Sequence, residues 1–205
     1  MTPIYHYDVV QGTDEWRDLR ADKWTASNAA VIMGGLDTDG LDKLVKKVAW
    51  GRVYGAVLGG FKSAAMEHGN KTEPEAVDWY SFETGETLTA CGLVEHSTIP
   101  YVAWSPDALI GERRAIEAKC QLEMAWMDTK KSGKVPSQYR WQCRWAAWVG
   151  MLECIDYVTY HPKSGGIIIQ TEITESEKQQ MEERVSILEP RVSEWIEIIS
   201  DKNLN

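Results

Sequence analysis

Asp107 and Glu117 stand ten residues apart, and Lys119 follows the second of them in the run Glu117-Ala118-Lys119. Two carboxylates and an ammonium are a set that can hold and use a hard cation. Mg²⁺ takes one or two acidic side chains and fills its remaining positions with water and phosphate oxygens. The chemistry expected of such a set is phosphodiester chemistry. Strand alternation can bring the set together: in Ala115-Ile116-Glu117-Ala118-Lys119-Cys120 a period of two sends Ile116, Ala118 and Cys120 to one face and Glu117 and Lys119 to the other. An acid-x-lysine triplet means little alone, and Asp128-Thr129-Lys130 is a decoy, set in a polar stretch beside Lys131-Ser132-Gly133 with no strand pattern around it. Glu117-Ala118-Lys119 differs because a strand presents it, Asp107 follows the turn-forming Ser105-Pro106, and Glu73 offers a further carboxylate from the preceding helix. The competing reading of the same residues is a surface salt bridge from Glu117 to Lys119, with Asp107 capping a turn.

The elements that must position these groups can be read from periodicity. Apolar spacing over Thr13–Met33 predicts helix, with Ser27 as an N-cap before Asn28-Ala29-Ala30-Val31-Ile32-Met33 and a stop at Gly34-Gly35. Leu41 to Val57 predicts a helix with a basic face that ends near Gly55, Gly59 and Gly60. A second helix is expected over Ala64–Thr84, started or interrupted at Pro74. Between Leu88 and Cys120 the pattern turns to short strands, with Tyr101–Trp104 and Ala115–Cys120 flanking a turn near Gly111-Glu112 as neighbours. A tryptophan-rich helix from Ser137 to Gly150 puts Tyr139 and Gln142 on one face. Cys154–Tyr160 and Ile167–Ile173 predict an edge hairpin. Thr174-Glu175-Ser176-Glu177 is a capping-box pattern opening an amphipathic helix over about 174–200, with a possible kink at Pro190. The expected whole is one α/β domain over 1–205, a central mixed β-sheet flanked by helices, with no internal repeat.

Composition narrows the class. The 205 residues are 43% hydrophobic and 26% charged, the balance of an ordinary soluble globule. No stretch approaches the roughly 20 apolar residues of a membrane helix, and Met1-Thr2-Pro3-Ile4-Tyr5 lacks a signal-like pattern, so a cytoplasmic protein is expected. Cys91, Cys120, Cys143 and Cys154 form no C-x-x-C pair and are expected to be reduced and mostly buried. The net charge of −9 argues against a nucleic-acid partner, but its distribution does not. Leu41–Lys71 holds six basic residues (Lys43, Lys46, Lys47, Arg52, Lys62, Lys71) against two acidic ones. Lys119–Arg144 holds six more (Lys119, Lys130, Lys131, Lys134, Arg140, Arg144) against two, and the acidic excess lies in the tail from Glu172 onward. That pattern suits a focused DNA channel or, equally, lysine-rich solvated loops.

Five ordered motifs then suggest a family. They are Glu15-Trp16-Arg17-Asp18-Leu19-Arg20 with Thr25-Ala26-Ser27; Gly69-Asn70-Lys71-Thr72-Glu73-Pro74-Glu75-Ala76; Ser105-Pro106-Asp107; Glu117-Ala118-Lys119; and Tyr139-Arg140-Trp141-Gln142. Over Trp16 to Trp148 the chain resembles the lambda exonuclease and YqaJ-type viral recombinase family, part of the PD-(D/E)-x-K nucleases, which implies a restriction-endonuclease-like core. The resemblance implies that Asp107 bridges two Mg²⁺ ions, that Glu117 and the Ala118 carbonyl complete one site, and that Glu73 helps the other, with Mn²⁺ as a possible substitute. Lys119 would orient or deprotonate the attacking water, Gln142 and Tyr139 would position the water or the scissile phosphate, and Arg20, Ser27 and Ser105 would hold a phosphate. Trp16 would stack near the site or sit in the core.

The implied activity is Mg²⁺-dependent 5′-to-3′ digestion of one strand of linear double-stranded DNA to mononucleotides, leaving a 3′ single-stranded tail. A processive homotrimer ring, a single-strand annealing protein as partner, and a phage or prophage origin in a bacterial host complete the implied picture. Two departures stand out. The lambda exonuclease branch has an arginine eight residues past its catalytic glutamate, in the 5′-phosphate pocket, where this chain has Ala125, with Lys130 or Lys131 as the expected substitute. A second glutamine often found two positions after the first is here Arg144. The rival readings are a Mg²⁺-dependent endonuclease on the same fold and a non-catalytic DNA-binding recombination module.

Overall fold

The strongest β signal is the apolar run around Glu117, and it forms the central strand of the larger of two sheets. In a computed structural model, which describes residues 2–57 and 64–201, with backbone alone over 64–71, that strand is β7 (Arg114–Cys120). Its sheet contains β3 (Leu88–Thr89), β6 (Ala108–Ile110), β7, β8 (Cys154–His161) and β9 (Gly165–Glu172) in the order β3-β6-β7-β8-β9. All pairs are antiparallel except β7 with β8, which runs Arg114↔Cys154 through Cys120↔Tyr160 in parallel. A parallel pair requires a crossover, and α5 (Glu123–Ser132) and α6 (Ser137–Val149) supply it.

Alternation along β7 separates two cores. Ile116 and Ala118 pack with Ala76, Tyr80, Ala108 and Val158 beneath α4 (Ala64–Thr84), whereas Ala115 joins Leu109, Ile155, Tyr157 and the α6 residues Cys143, Trp145 and Ala146. Glu117 and Lys119 share the parity of Ala115, so they face α6, the helix that carries Gln142. Beneath α4, the buried Asp156 accepts from Tyr80 Oη (2.5 Å) and Arg114 (2.5 Å), so this carboxylate is paired.

A smaller sheet, in the order β1-β4-β5-β2, joins β1 (Ile4–His6), β4 (Leu93–Glu95), β5 (Val102–Trp104) and β2 (Trp24–Thr25). The expected pairing of Tyr101–Trp104 with Ala115–Cys120 is therefore corrected. β5 belongs to this second sheet, and the neighbour of β7 is β6, too short at three residues to show a period in sequence. Two further expectations change. The decoy Asp128-Thr129-Lys130 lies in α5, an unanticipated helix, and Ser27 does not cap a helix. It lies in a 3₁₀ turn, Ala26–Asn28, ahead of the short α2 (Ala29–Ile32), whose N-cap position is Asn28 without a side-chain cap bond.

Two helices brace the N-terminal block. α1 (Asp14–Ala21) is capped by Thr13, and α3 (Asp39–Tyr54) ends on the left-handed Gly55. Gly51 of α3 lies so close to α1 that a Cβ there would sit 2.0 Å from the Ala21 carbonyl oxygen, so only glycine permits this approach. Behind α3 runs α7 (Glu175–Ser200), opened by the capping box of Thr174 and Glu177, with Pro190 inside it. Arg52 of α3 binds Glu189 of α7 through two nitrogens at 2.6 and 2.8 Å, and the buried Trp24 donates its indole N–H to the same carboxylate at 2.8 Å. α4 is continuous through Pro74, and the hairpin of β8 and β9 is present. Of the cysteines, Cys91 and Cys143 are buried, Cys120 and Cys154 half-buried, and all four are free thiols. Gly59, Gly60, Lys62 and the side chains of Gly69-Asn70-Lys71 lie outside the described residues, as does that of Glu67, one of the two acidic residues in the basic segment Leu41–Lys71. Among the described residues no helix is long and apolar enough to cross a membrane.

Candidate active site

A cleft of about 630 Å³ opens between α1, the middle of α4 and the ends of β6 and β7. Glu73, Asp107, Glu117, Lys119 and Gln142 line it, and so do Arg20, Ser27 and Ser105. The fold thus gathers eight predicted residues from five separate stretches of chain around one space.

The acidic side is built on neighbouring strands. Asp107 precedes β6, one residue before the Ala108↔Ile116 pair, and this places it beside Glu117. Its Oδ2 accepts the Ala118 backbone N–H at 2.6 Å, while Gln142 Nε2 donates to Glu117 Oε1 at 2.6 Å. Lys119 Nζ also donates to Glu117 Oε1, and to the Ala118 carbonyl at 3.1 Å. The salt bridge of the competing reading does exist, but it is no surface feature, since Glu117 is 1% exposed. Tyr139 stands behind the cleft: its ring lies 5.6 Å from Lys119 Nζ and stacks against Tyr157 at 5.8 Å.

Burial governs the electrostatics here. Loss of hydration pushes Glu117 up to about 7, a rise aided by Asp107 and opposed by Lys119 and Gln142. Burial likewise pushes Asp107 up to about 7; Glu73 adds to the rise, while Lys119 and the Ala118 N–H resist it. Glu73 is raised for the same reason and is hydrogen-bonded to Asp107. Burial alone would lower Lys119, but Glu117, Asp107 and Glu73 outweigh it and hold the ammonium charged. In this arrangement Lys119 is a donor and a counter-charge.

The opposite side is a cation held among hydroxyls. Arg20 donates to Ser27 Oγ at 3.0 Å, and Ser27 Oγ is 3.1 Å from Thr25 Oγ1. The Arg20 guanidinium lies 4.1 Å over the Trp16 ring, whose N–H is shared between Ser105 Oγ and the Gly92 carbonyl, each at 3.0 Å. Trp16 therefore sits at the site and connects its phosphate-binding candidates. Burial lowers Arg20 to about 10, leaving it charged at neutral pH, and no described carboxylate lies within ion-pair distance of it. An unpaired arginine beside hydroxyl groups is suited to an oxyanion.

Sequence reasoning missed two cleft residues. Gln11 donates to the Pro106 carbonyl at 2.6 Å and to Cys91 at 3.1 Å, fixing the turn before Asp107, and a lone glutamine gives no signal of that. Arg17 also lines the cleft. The expected substitutes for the pocket arginine are absent from it: Ala125, Lys130 and Lys131 lie on α5 with exposed side chains, and Lys130 packs over Trp126. Arg140 and Arg144 bind Glu177, so the basic segment after Lys119 turns partly away from the cleft.

A divalent cation can be tested against these donors. Among the described residues no group of three or more His, Cys, Asp or Glu side chains is arranged to hold a metal ion as it stands. The chemistry of the set nevertheless fits one. Glu117 Oε2 is buried and accepts no hydrogen bond from a described residue, and three carboxylates with raised affinity for protons mark a place short of positive charge.

A mixed sheet flanked by helices, with an acid-x-lysine strand beside an aspartate on the neighbouring strand at the wall of a cleft, defines a nuclease with a restriction-endonuclease-like fold. The chain belongs to the YqaJ-like viral recombinase domain family, whose model matches residues 15–154. It is similar in structure to an alkaline exonuclease (LHK-Exo) from Laribacter hongkongensis, with a TM-score of 0.83 and 28% identity over 91% of this chain and 96% of that one. The same figures hold for that enzyme in complex with dAMP. A phage-related exonuclease from Haemophilus somnus 129PT shares the fold at 16% identity and a TM-score of 0.66, over 90% of this chain and 99% of that one. No curated protein matches.

Proposed function

We propose that this chain is a Mg²⁺-dependent exonuclease that digests one strand of linear duplex DNA in the 5′-to-3′ direction, releasing mononucleotides and leaving a 3′ single-stranded tail for recombination by strand annealing. One observation carries the reading. A single cleft holds the hydrolytic set Asp107, Glu117 and Lys119 together with an oxyanion site, Arg20, Ser27 and Ser105, that can hold a strand end. A phosphate bound beside the reacting groups would fix the distance from the strand end to the cut. The resemblance to an alkaline exonuclease that has been crystallised in complex with dAMP agrees with that product.

Asp107, Glu117, the Ala118 carbonyl and Glu73 are the groups that would hold the metal ions. Bound there, the ions would supply a hydroxide near neutral pH and offset charge on the attacked phosphate. The residues themselves then divide the work. Gln142 holds the Glu117 carboxylate in place through its 2.6 Å bond. The Lys119 ammonium orients the water by donating a hydrogen bond and steadies charge gathering on the phosphate. Tyr139, stacked on Tyr157, forms the wall behind Lys119. Arg20, clamped on Trp16, binds the terminal phosphate with the hydroxyls of Ser27 and Ser105. The same reading takes three subunits as a ring around the duplex and a single-strand annealing protein as the partner that coats the exposed tail.

Digestion of linear duplexes bearing 5′-phosphate or 5′-hydroxyl ends, and of closed circles, with and without Mg²⁺ or Mn²⁺, tests the proposal. Metal-dependent release of mononucleotides from linear, 5′-phosphorylated DNA is expected. Rapid loss of closed circles would refute the exonuclease reading in favour of an endonuclease.

A further inference from the structure

The oxyanion side of the cleft has less positive charge than a strand end requires if Arg20 acts alone. A 5′-terminal phosphomonoester carries about −1.5 to −2 charges at neutral pH, and Arg20 supplies one positive charge, while Ser27 and Ser105 supply none. Lys119 is committed to Glu117 and the Ala118 carbonyl. The remaining cation among the described cleft-lining residues is Arg17. It stands three residues before Arg20 on α1, a spacing that puts two side chains on one helix face with Cβ atoms roughly 5–6 Å apart. Its carboxylate partner, Asp14 at 2.5 Å, is 93% exposed, so that pair is screened by water and easily exchanged. Arg17 itself is 39% exposed, at the mouth of the cleft and open to a ligand.

Resting on the end-dependent reading above, we infer that Arg17 is the second cation of the terminal-phosphate site, exchanging Asp14 for the 5′-phosphomonoester and making the site selective for a phosphorylated end. The planar guanidinium is suited to this, since it donates two parallel hydrogen bonds to phosphate oxygens and stays charged. Arg20 holds the phosphate from the inner side, against Trp16 and Ser27, and Arg17 closes over it from the outer turn of the same helix. An internal phosphodiester, with a single charge, gains less from the second guanidinium, so discrimination between ends is the property Arg17 confers. The position that carries an arginine in the lambda exonuclease branch, here Ala125, then needs no replacement from α5.

The test is direct binding in EDTA, so that it stands apart from hydrolysis. Fluorescein-labelled blunt duplexes with a 5′-phosphate or a 5′-hydroxyl are titrated with wild type, Arg17→Gln, Arg17→Lys and Lys131→Gln, with melting curves confirming that each variant folds. Wild type is expected to prefer the phosphorylated end, and Arg17→Gln to cut that preference by roughly 5- to 10-fold, the size of a partly exposed charge-assisted hydrogen bond. Arg17→Lys should retain more of it than Arg17→Gln, and Lys131→Gln all of it. No preference in wild type, an unchanged preference in Arg17→Gln, or its loss in Lys131→Gln would each overturn the assignment. A wild type that prefers phosphorylated ends through Arg17 but releases no nucleotide with Mg²⁺ would refute the exonuclease proposal and leave this one standing.

Discussion

Trp16 links the two halves of the phosphate site, and its two contacts can be removed one at a time. Its indole N–H is shared between Ser105 Oγ and the Gly92 carbonyl at 3.0 Å, and its ring lies 4.1 Å beneath Arg20. Trp16→Phe keeps an aromatic face under the guanidinium and removes the N–H. The loss is one neutral hydrogen bond, about 1 kcal/mol, hence a rise in KM for 5′-phosphorylated duplex of roughly 5-fold. Trp16→Leu removes the cation–π contact as well, worth about 1 kcal/mol at a partly desolvated site, so the rise should approach roughly 30-fold. Both variants should leave kcat within about 3-fold, because nothing Trp16 touches is placed among the hydrolytic groups. The assay is steady-state nucleotide release against duplex concentration, repeated with Ser105→Ala as background. On that background Trp16→Phe should cost less than it does alone, the sign of a shared bond. Equal damage by Phe and Leu, or an effect of Trp16→Phe undiminished by Ser105→Ala, would refute the linkage.

Gln142→Leu, which strips the 2.6 Å bond from the Glu117 carboxylate, should lower kcat by about 10- to 100-fold, as expected for a hydrogen bond to a charged group, while duplex binding in EDTA persists. Glu117 and Asp107 are both held up at about 7, above their values in the unfolded chain. They therefore favour the folded state in acid and cost stability as pH rises from about 4 through 7. Thermal melts should show Mg²⁺ raising Tm more at pH 8 than at pH 5.5, and an equal or reversed effect would argue against a cation at these carboxylates. Arg52→Ala leaves the half-buried Glu189 without the partner that lowers its pKa against the pull of burial, and should cost about 1–2 kcal/mol in urea unfolding, since Glu189 is partly solvated and keeps the Trp24 bond.

The chemistry of this protein is written in short local patterns. Glu117-Ala118-Lys119 declares itself because alternation in a strand is a property of neighbouring residues, and Thr174 with Glu177 declares a helix start for the same reason. Even Tyr139 and Gln142, whose spacing alone says that they share a helix face, fall on the side of the sheet where Glu117 lies. What required the tertiary structure was partnership across long separations. β6 is three residues long, so its place beside β7, and with it the juxtaposition of Asp107 and Glu117, depends on backbone pairing that leaves no periodic trace. Ser27, a plausible helix cap by type, is drawn instead to Arg20 because the chain enters β2 and a 3₁₀ turn there.

Residue types and their order along the chain thus determined the class of reaction and most of the residues that could perform it, since carboxylates and ammonium groups keep their chemistry wherever they are placed. Folding alone decided which charges face one another, because solvation and Coulomb energy depend on distance and burial. Glu117 became a carboxylate poised at about 7 only inside the cleft, and Arg17, one basic residue among many in the sequence, became a cleft-lining cation only when α1 was laid against Gly51.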